Sequence, residues 1–181
     1  MNRCRSIRPA RKTAAVSGER SLRTAIFLSI AALLTPAALA ATRERVTLVE
    51  VYDADTVAVE RPDGTRKTIR LIGVDAPEIQ GKYRDVELGG DAAAAFAEEL
   101  MALGPVVLHA DPDGDDEDKY GRLLRYVHLP DGRDAGAEII ASGYARAYRR
   151  FGHGRRGTYI ALEEEAKAAK RGLWGTCRPE G

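Results

Sequence analysis

The chain has 181 residues, 44% hydrophobic and 30% charged, with 28 basic and 27 acidic side chains for a net charge of +1. That length and balance fit one globular domain and exclude a low-complexity chain. With two cysteines, Cys4 and Cys177, a zinc site built from cysteines is also excluded.

The first forty residues differ from the rest. Arg3, Arg5, Arg8, Arg11, Lys12, Arg20 and Arg23 face a single acid, Glu19. An apolar run over residues 25–34 follows, then Pro36 and the small-residue tripeptide Ala38-Leu39-Ala40. This is the layout of a secretory signal peptide, with cleavage expected after Ala40. The run is short and broken by Pro36, whereas a bilayer span needs about 20 residues. The expectation is a signal peptide at residues 1–40, one domain at 41–181, export to the periplasm or medium, and no membrane attachment after cleavage. Residues 1–40 carry seven basic and one acidic side chain, so residues 41–181 carry 21 and 26, a net charge of −5. Such a domain is not a generic cationic nucleic-acid binder, and attraction to a polyanion must be local. The candidate patch is Arg146, Arg149, Arg150, Arg155 and Arg156. Cys177, once Cys4 is removed, has no internal disulfide partner.

In the domain, residues 45–52, 56–61 and 65–72 read as strands, with Pro62-Asp63-Gly64 as a hairpin turn. A polar loop at 79–90 leads to a helix at 92–103, capped by Asp91, with Phe96, Leu100 and Leu103 on one face. Gly104-Pro105 stops it. Strands at 106–110 and 123–129 flank an acidic loop at 111–117. A short helix at 134–141 ends at Gly143, residues 145–148 are extended, and 151–157 form a Gly- and Arg-rich loop. The last helix, 158–171, places Tyr159, Leu162, Ala166 and Ala169 on one face, and Leu173-Trp174 folds back onto the body. Five strands with a helix after the third predict an α+β domain built on a small closed barrel.

The candidate chemistry lies beside the strand ends. Asp55, in a turn, is either an Asx-turn residue or a metal ligand. Asp75 follows a buried strand and precedes Ala76-Pro77, and the residue before a proline is held extended, which frees the Ala76 carbonyl. Two carboxylates, a carbonyl and waters make a hard-oxygen site suited to calcium. Glu78, three residues beyond Asp75, is placed to act as a general base or is a solvated loop acid. Arg70 and Arg122 each need a partner, either a structural carboxylate or a phosphate. Lys119 and Tyr120 either hold a further phosphate or line a solvated turn. The acidic run Asp111-Pro-Asp113-Gly-Asp115 is not an EF-hand: its glycine falls at the fourth place, and Arg122 stands where the ligating glutamate belongs. A solvated charge run is expected. His109, His128 and His153 lack ligand spacing and read as core or face residues.

Three segments, Val51-Tyr-Asp-Ala-Asp55-Thr56-Val57, Arg70-Leu-Ile-Gly-Val-Asp75-Ala-Pro-Glu78 and Asp118-Lys-Tyr-Gly-Arg122, match in order the motif blocks of the staphylococcal nuclease (thermonuclease-like) family. The chain resembles that family over residues 45–175. The resemblance implies an OB-fold barrel with about three helices, calcium held by Asp55, Asp75 and the Ala76 carbonyl, and Arg70 and Arg122 on the scissile phosphate. It implies Glu78 as general base, Lys119 and Tyr120 on a terminal phosphate, and Tyr148 near the nucleotide. The substrate would be DNA or RNA, preferentially single-stranded or frayed, cleaved to 3′-phosphates, with no stable protein partner. The alternatives are a non-catalytic OB-fold module binding nucleic acid or protein, and a calcium-dependent lipid or cell-surface interaction protein. The chain departs from the family at Ala76, where the prototype has threonine, at Gly136-Ala137, in place of an Asn-Glu pair, and at Arg150, in place of a second tyrosine.

Overall fold

The computed structural model describes residues 43–79 and 89–175. The expected signal peptide, both cysteines and most of the 79–90 loop lie outside the described residues.

β1 (Arg43–Asp53), β2 (Thr56–Glu60) and β3 (Arg66–Leu71) form an antiparallel meander. The β2–β3 turn closes where Arg61 N–H bonds the Thr65 carbonyl at 2.9 Å and Gly64 takes a φ of 82°. β5 (Val106–His109) and β6 (Leu123–His128) complete a closed barrel in the order β1-β2-β3-β6-β5, with β3 and β6 the parallel pair. Its interior is filled by alternating residues such as Val46, Val57, Val59, Ile69, Leu71 and Leu108, all buried. A separate two-stranded ribbon joins β4 (Val74–Asp75) to β7 (Arg146–Ala147), pairing Asp75 with Arg146.

Three helices are described: α1 (Gly90–Met101), α2 (Ala135–Ala141) and α3 (Arg156–Ala168). α1 begins earlier than the sequence suggests. Its cap is Gly89 in the left-handed region, and Asp91 sits in the first turn without capping it. The helix buries Ala93, Ala97, Leu100 and Met101, Phe96 stacks on Tyr144 at 4.7 Å, and Leu103, beyond the helix end, is 61% exposed. The expected Phe96-Leu100-Leu103 face is therefore corrected to an alanine-rich one, narrow enough to let the helix approach β1 closely. α2 starts despite Gly136-Ala137, because Asp134 accepts the Gly136 N–H at 3.0 Å as a side-chain cap. α3 also starts early, at Arg156, and Ala169 is exposed. The buried position on α3 that the periodicity missed is Glu163, 1% exposed and held by Arg149 at 2.7 Å and Lys167 at 3.0 Å.

The chain folds back at its end as expected. Leu173 N–H bonds the Gly143 carbonyl at 2.8 Å. A Cβ on Gly143, whose φ is 81°, would lie 2.2 Å from the Arg171 carbonyl oxygen, so two backbones touch there. No helix among the described residues is long and apolar enough to cross a membrane.

Candidate active site

The turn after β1 places Asp55 at the end of the barrel, 5% exposed. A bulge in the β1–β2 register near Asp53 makes the turn, and Asp55 N–H bonds the Asp53 carboxylate at 2.9 Å. Two distant segments contact the Asp55 carboxylate directly and a third reaches it through the neighbouring Thr56. From β3, Arg70 Nη1 lies 3.0 Å from Oδ1. From beyond β4, the Ala76 N–H donates to Oδ2 at 2.8 Å. From β2, the Thr56 hydroxyl donates to Oδ1 at 2.9 Å and in turn accepts from Arg122 Nη1 at 3.3 Å. Both predicted arginines are thereby tied to one carboxylate.

Arg70 does a second task. The same Nη1 reaches the Leu71 and Val74 carbonyls at 3.2 and 2.8 Å, which brace the turn between β3 and β4. Nη2 and Nε make no such bonds among the described residues, so one edge of the guanidinium stays available to an anion. Arg122 is aimed by Asp118, which accepts from Nε at 2.7 Å and from the Arg122 backbone N–H at 3.0 Å. Asp118 and Thr56 had no assigned role in the sequence reading. Their adjacency to Arg122 and Asp55 in the motif blocks was the available signal.

Asp75 is half-buried on β4, and its carboxylate makes no hydrogen bond or ion pair among the described residues. Glu78 is half-buried on the segment leaving β4, with its main chain against Gly90: a Cβ there would sit 2.8 Å from the Glu78 carbonyl oxygen. Lys119 and Tyr120 occupy the exposed turn before Arg122, with Lys119 Nζ 4.8 Å and Arg122 Cζ 5.4 Å from the centre of the Tyr120 ring. Tyr148 follows β7, and its N–H bonds the Gly73 carbonyl at 2.9 Å.

Burial pushes the Asp55 carboxyl up to about 7, against the pull of Arg70 and with the Asp53 carboxylate adding to the rise. A cation beside it would restore the charged form. Among the described residues no three His, Cys, Asp or Glu side chains cluster to hold a metal by themselves. The donors on offer are Asp55, the unengaged Asp75 carboxylate and the Ala76 carbonyl. This is a hard-oxygen set that fits a calcium ion only if waters and a phosphate complete its six to eight ligands.

Arg149 and Arg155 leave the expected basic patch. Arg149 is taken by Glu163, and Arg155 by Asp134, with its guanidinium 4.0 Å over the Tyr126 ring. Arg146, Arg150 and Arg156 form no ion pair with a carboxylate among the described residues. The acidic loop also divides. Residues 112–117 are exposed as expected, but Asp111 is buried, accepting from the Tyr126 hydroxyl at 2.6 Å and Gly154 N–H at 2.9 Å. The His109 and His128 rings lie 4.1 Å apart at a tilt of 41°, and His153 covers Gly73.

A closed five-stranded barrel with Arg70 and Arg122 linked to Asp55 at one end defines an OB-fold protein whose site can accept an anion. Comparison with known proteins narrows it. The staphylococcal nuclease homologue family model matches residues 68–176. The chain is 32% identical over 146 residues to an uncharacterised protein of Methanocaldococcus jannaschii, covering 70% of each. It is 36% identical over 131 residues to endonuclease YncB of Bacillus subtilis, covering 71% of this chain and 61% of that protein. It is 30% identical over 136 residues to the thermonuclease of Staphylococcus hyicus, covering 74% and 78%. The chain belongs to the staphylococcal nuclease family. Asp55 lies outside the matched span, yet its bonds to Arg70 and Ala76 join it to that span.

Proposed function

We propose that this chain is a calcium-dependent nuclease that hydrolyses phosphodiester bonds of DNA or RNA and leaves 3′-phosphate ends. The observation that carries the reading is the bonded path Arg122–Thr56–Asp55–Arg70, which fixes two guanidinium groups around one carboxylate. A structural pairing alone needs one arginine, whereas phosphoryl transfer needs several donors preorganised for growing negative charge.

A calcium ion on Asp55, Asp75 and the Ala76 carbonyl would offset phosphate charge and lower the pKa of an attacking water. Arg70 holds the phosphate by its Nε and Nη2 and Arg122 by its Nη2, the nitrogens without protein partners among the described residues. Glu78 takes the proton of the attacking water as the new P–O bond forms, and the P–O5′ bond breaks with O5′ taking a proton from solvent, which gives a 3′-phosphate and a 5′-hydroxyl. Lys119 and Tyr120 hold a neighbouring phosphate, and Tyr148 stacks on a base, so recognition is tolerant of sequence and favours unpaired strands. Residues 1–40 direct export to the periplasm or medium.

The test is digestion of labelled single- and double-stranded DNA and RNA during a calcium titration, with end-group analysis. Cleavage that rises with calcium, stops with chelator and yields 3′-phosphates supports the reading. Undiminished cleavage in chelator removes the metal from it, and no cleavage under any condition removes the nuclease.

A further inference from the structure

β7 and the residues after it carry a feature with no assigned role. In an antiparallel pair, directly opposed residues project from the same face with Cβ atoms about 4.5–5.5 Å apart. Asp75 and Arg146 are such a pair, so Arg146 stands one rung across from a candidate metal ligand. Its side chain is exposed and takes no carboxylate partner, lying instead with its guanidinium 5.7 Å from the centre of the Trp174 ring. Two residues on, Tyr148 continues the pairing through its N–H to Gly73. Two further on, Arg150 is again exposed and free of carboxylates, and its guanidinium lies 5.7 Å from the centre of the Phe151 ring. Phe151 is itself 64% exposed and 5.8 Å from Tyr148. The intervening Arg149 turns the other way, to the buried Glu163.

Burial of Glu163 thus sorts the arginines of this segment. One neutralises the buried acid, and its neighbours at alternate positions stay unpaired on the outer face. Each guanidinium lies within cation–π range of an aromatic ring and has no carboxylate partner, which leaves N–H groups open to a phosphate. β7 ends at Ala147 and the chain bends at Arg150, so the two guanidinium groups leave the backbone on either side of Tyr148 and can meet different anions.

We propose that Arg146 and Arg150, with Tyr148 between them, form a strip that grips the phosphates of an unpaired nucleic-acid strand as it leaves the active site beside Asp75. The strip extends the nuclease reading and rests on it for its purpose. It adds local attraction for a polyanion to a domain whose net charge over residues 41–181 is −5.

The test separates binding from cleavage. Binding of a fluorescent oligothymidylate to the full chain is measured by anisotropy in chelator, between about 50 and 200 mM salt. Each phosphate contact on a single strand contributes about 0.7 to the slope of log K against log salt, so Arg146→Gln or Arg150→Gln should each lower the slope by about 0.7 and the double variant by about 1.4. Both positions are exposed, and a thermal melt checks that the variants fold. Arg66→Gln, an exposed arginine paired with Glu60 at the far end of β3, is the charge-matched control and should leave the slope unchanged. An unchanged slope in the double variant, an equal fall in the control, or no binding by the unmodified chain overturns the strip. Binding that behaves as expected without cleavage in calcium would instead sink the nuclease reading and leave the strip standing.

Discussion

Arg70 and Arg122 differ in what else they hold, and the difference is measurable. Arg70 Nη1 neutralises an acid that is 5% exposed and braces two carbonyls of the turn before Asp75. Arg122 is held by Asp118 on an exposed turn. Truncating either to alanine removes one preorganised donor, for which a loss of about 100- to 1,000-fold in kcat is the common scale. Only Arg70→Ala should also lower stability, by about 2–3 kcal/mol at pH 8, because it strands a buried carboxylate that can relieve the cost only in part by taking up a proton. Urea melts beside single-turnover rates check both halves. Arg122→Lys should not restore turnover, since a single ammonium nitrogen cannot take the three separate places that Nε at Asp118, Nη1 at Thr56 and Nη2 at a phosphate occupy. Equal stability loss in the two alanine variants would contradict this division of labour.

The β3–β4 turn is where element geometry meets chemistry. Gly73 has a φ of 78°, and the His153 ring lies so close that a Cβ there would approach it to 2.3 Å. The turn is pinned by Arg70 through its carbonyls and by the loop before α3 through His153 and Tyr148. Gly73→Ala should cost about 2–3 kcal/mol, from the left-handed backbone and the displaced ring. It should also lower kcat at temperatures where the variant remains folded, because Arg70 loses its carbonyl cradle. Thermal melts and rates at low temperature separate the two effects, and a variant with normal stability would show that the turn is slack. Gly-Val after an apolar run was legible as the end of a strand, but not as a site of close approach, because His153 comes from 80 residues further along the chain.

Across the whole molecule, three histidines join the barrel to the last helix and its leading loop. Burial and the neighbouring His128 hold His109 down to about 4, with Arg43 and Arg155 adding to the effect and Asp134 opposing it. Burial and Arg155 lower His128, and burial lowers His153 against the pull of Asp111. The unfolded chain therefore binds protons below about 6.5 that the folded chain refuses, so this contribution is complete above that pH and is lost as pH falls toward 4. Asp55 runs the opposite way, since its raised value favours the folded state below about 4 and that benefit fades as pH rises toward 7. A paired comparison cancels Asp55: His109→Gln should lose less thermal stability than the unmodified chain between pH 6.5 and 4.5. Parallel melting curves for the two proteins over that range would refute the assignment.

The sequence by itself determined the strands, the barrel-type architecture and the residues of the three motif blocks, because alternation, turn residues and motif spacing are local properties written along the chain. Helix boundaries were less legible: Asp91 has capping chemistry, but the chain turns at Gly89, where only a residue tolerant of positive φ fits easily. Only the tertiary structure decided which charges are spent on the fold and which are left for a ligand. Arg149 and Arg155 look the same as Arg146 and Arg150 in the chain, and Asp111 looks the same as Asp113. What separates them is whether a buried partner from a distant element sits within reach, and that follows from how the barrel, the β4–β7 ribbon and α3 pack together.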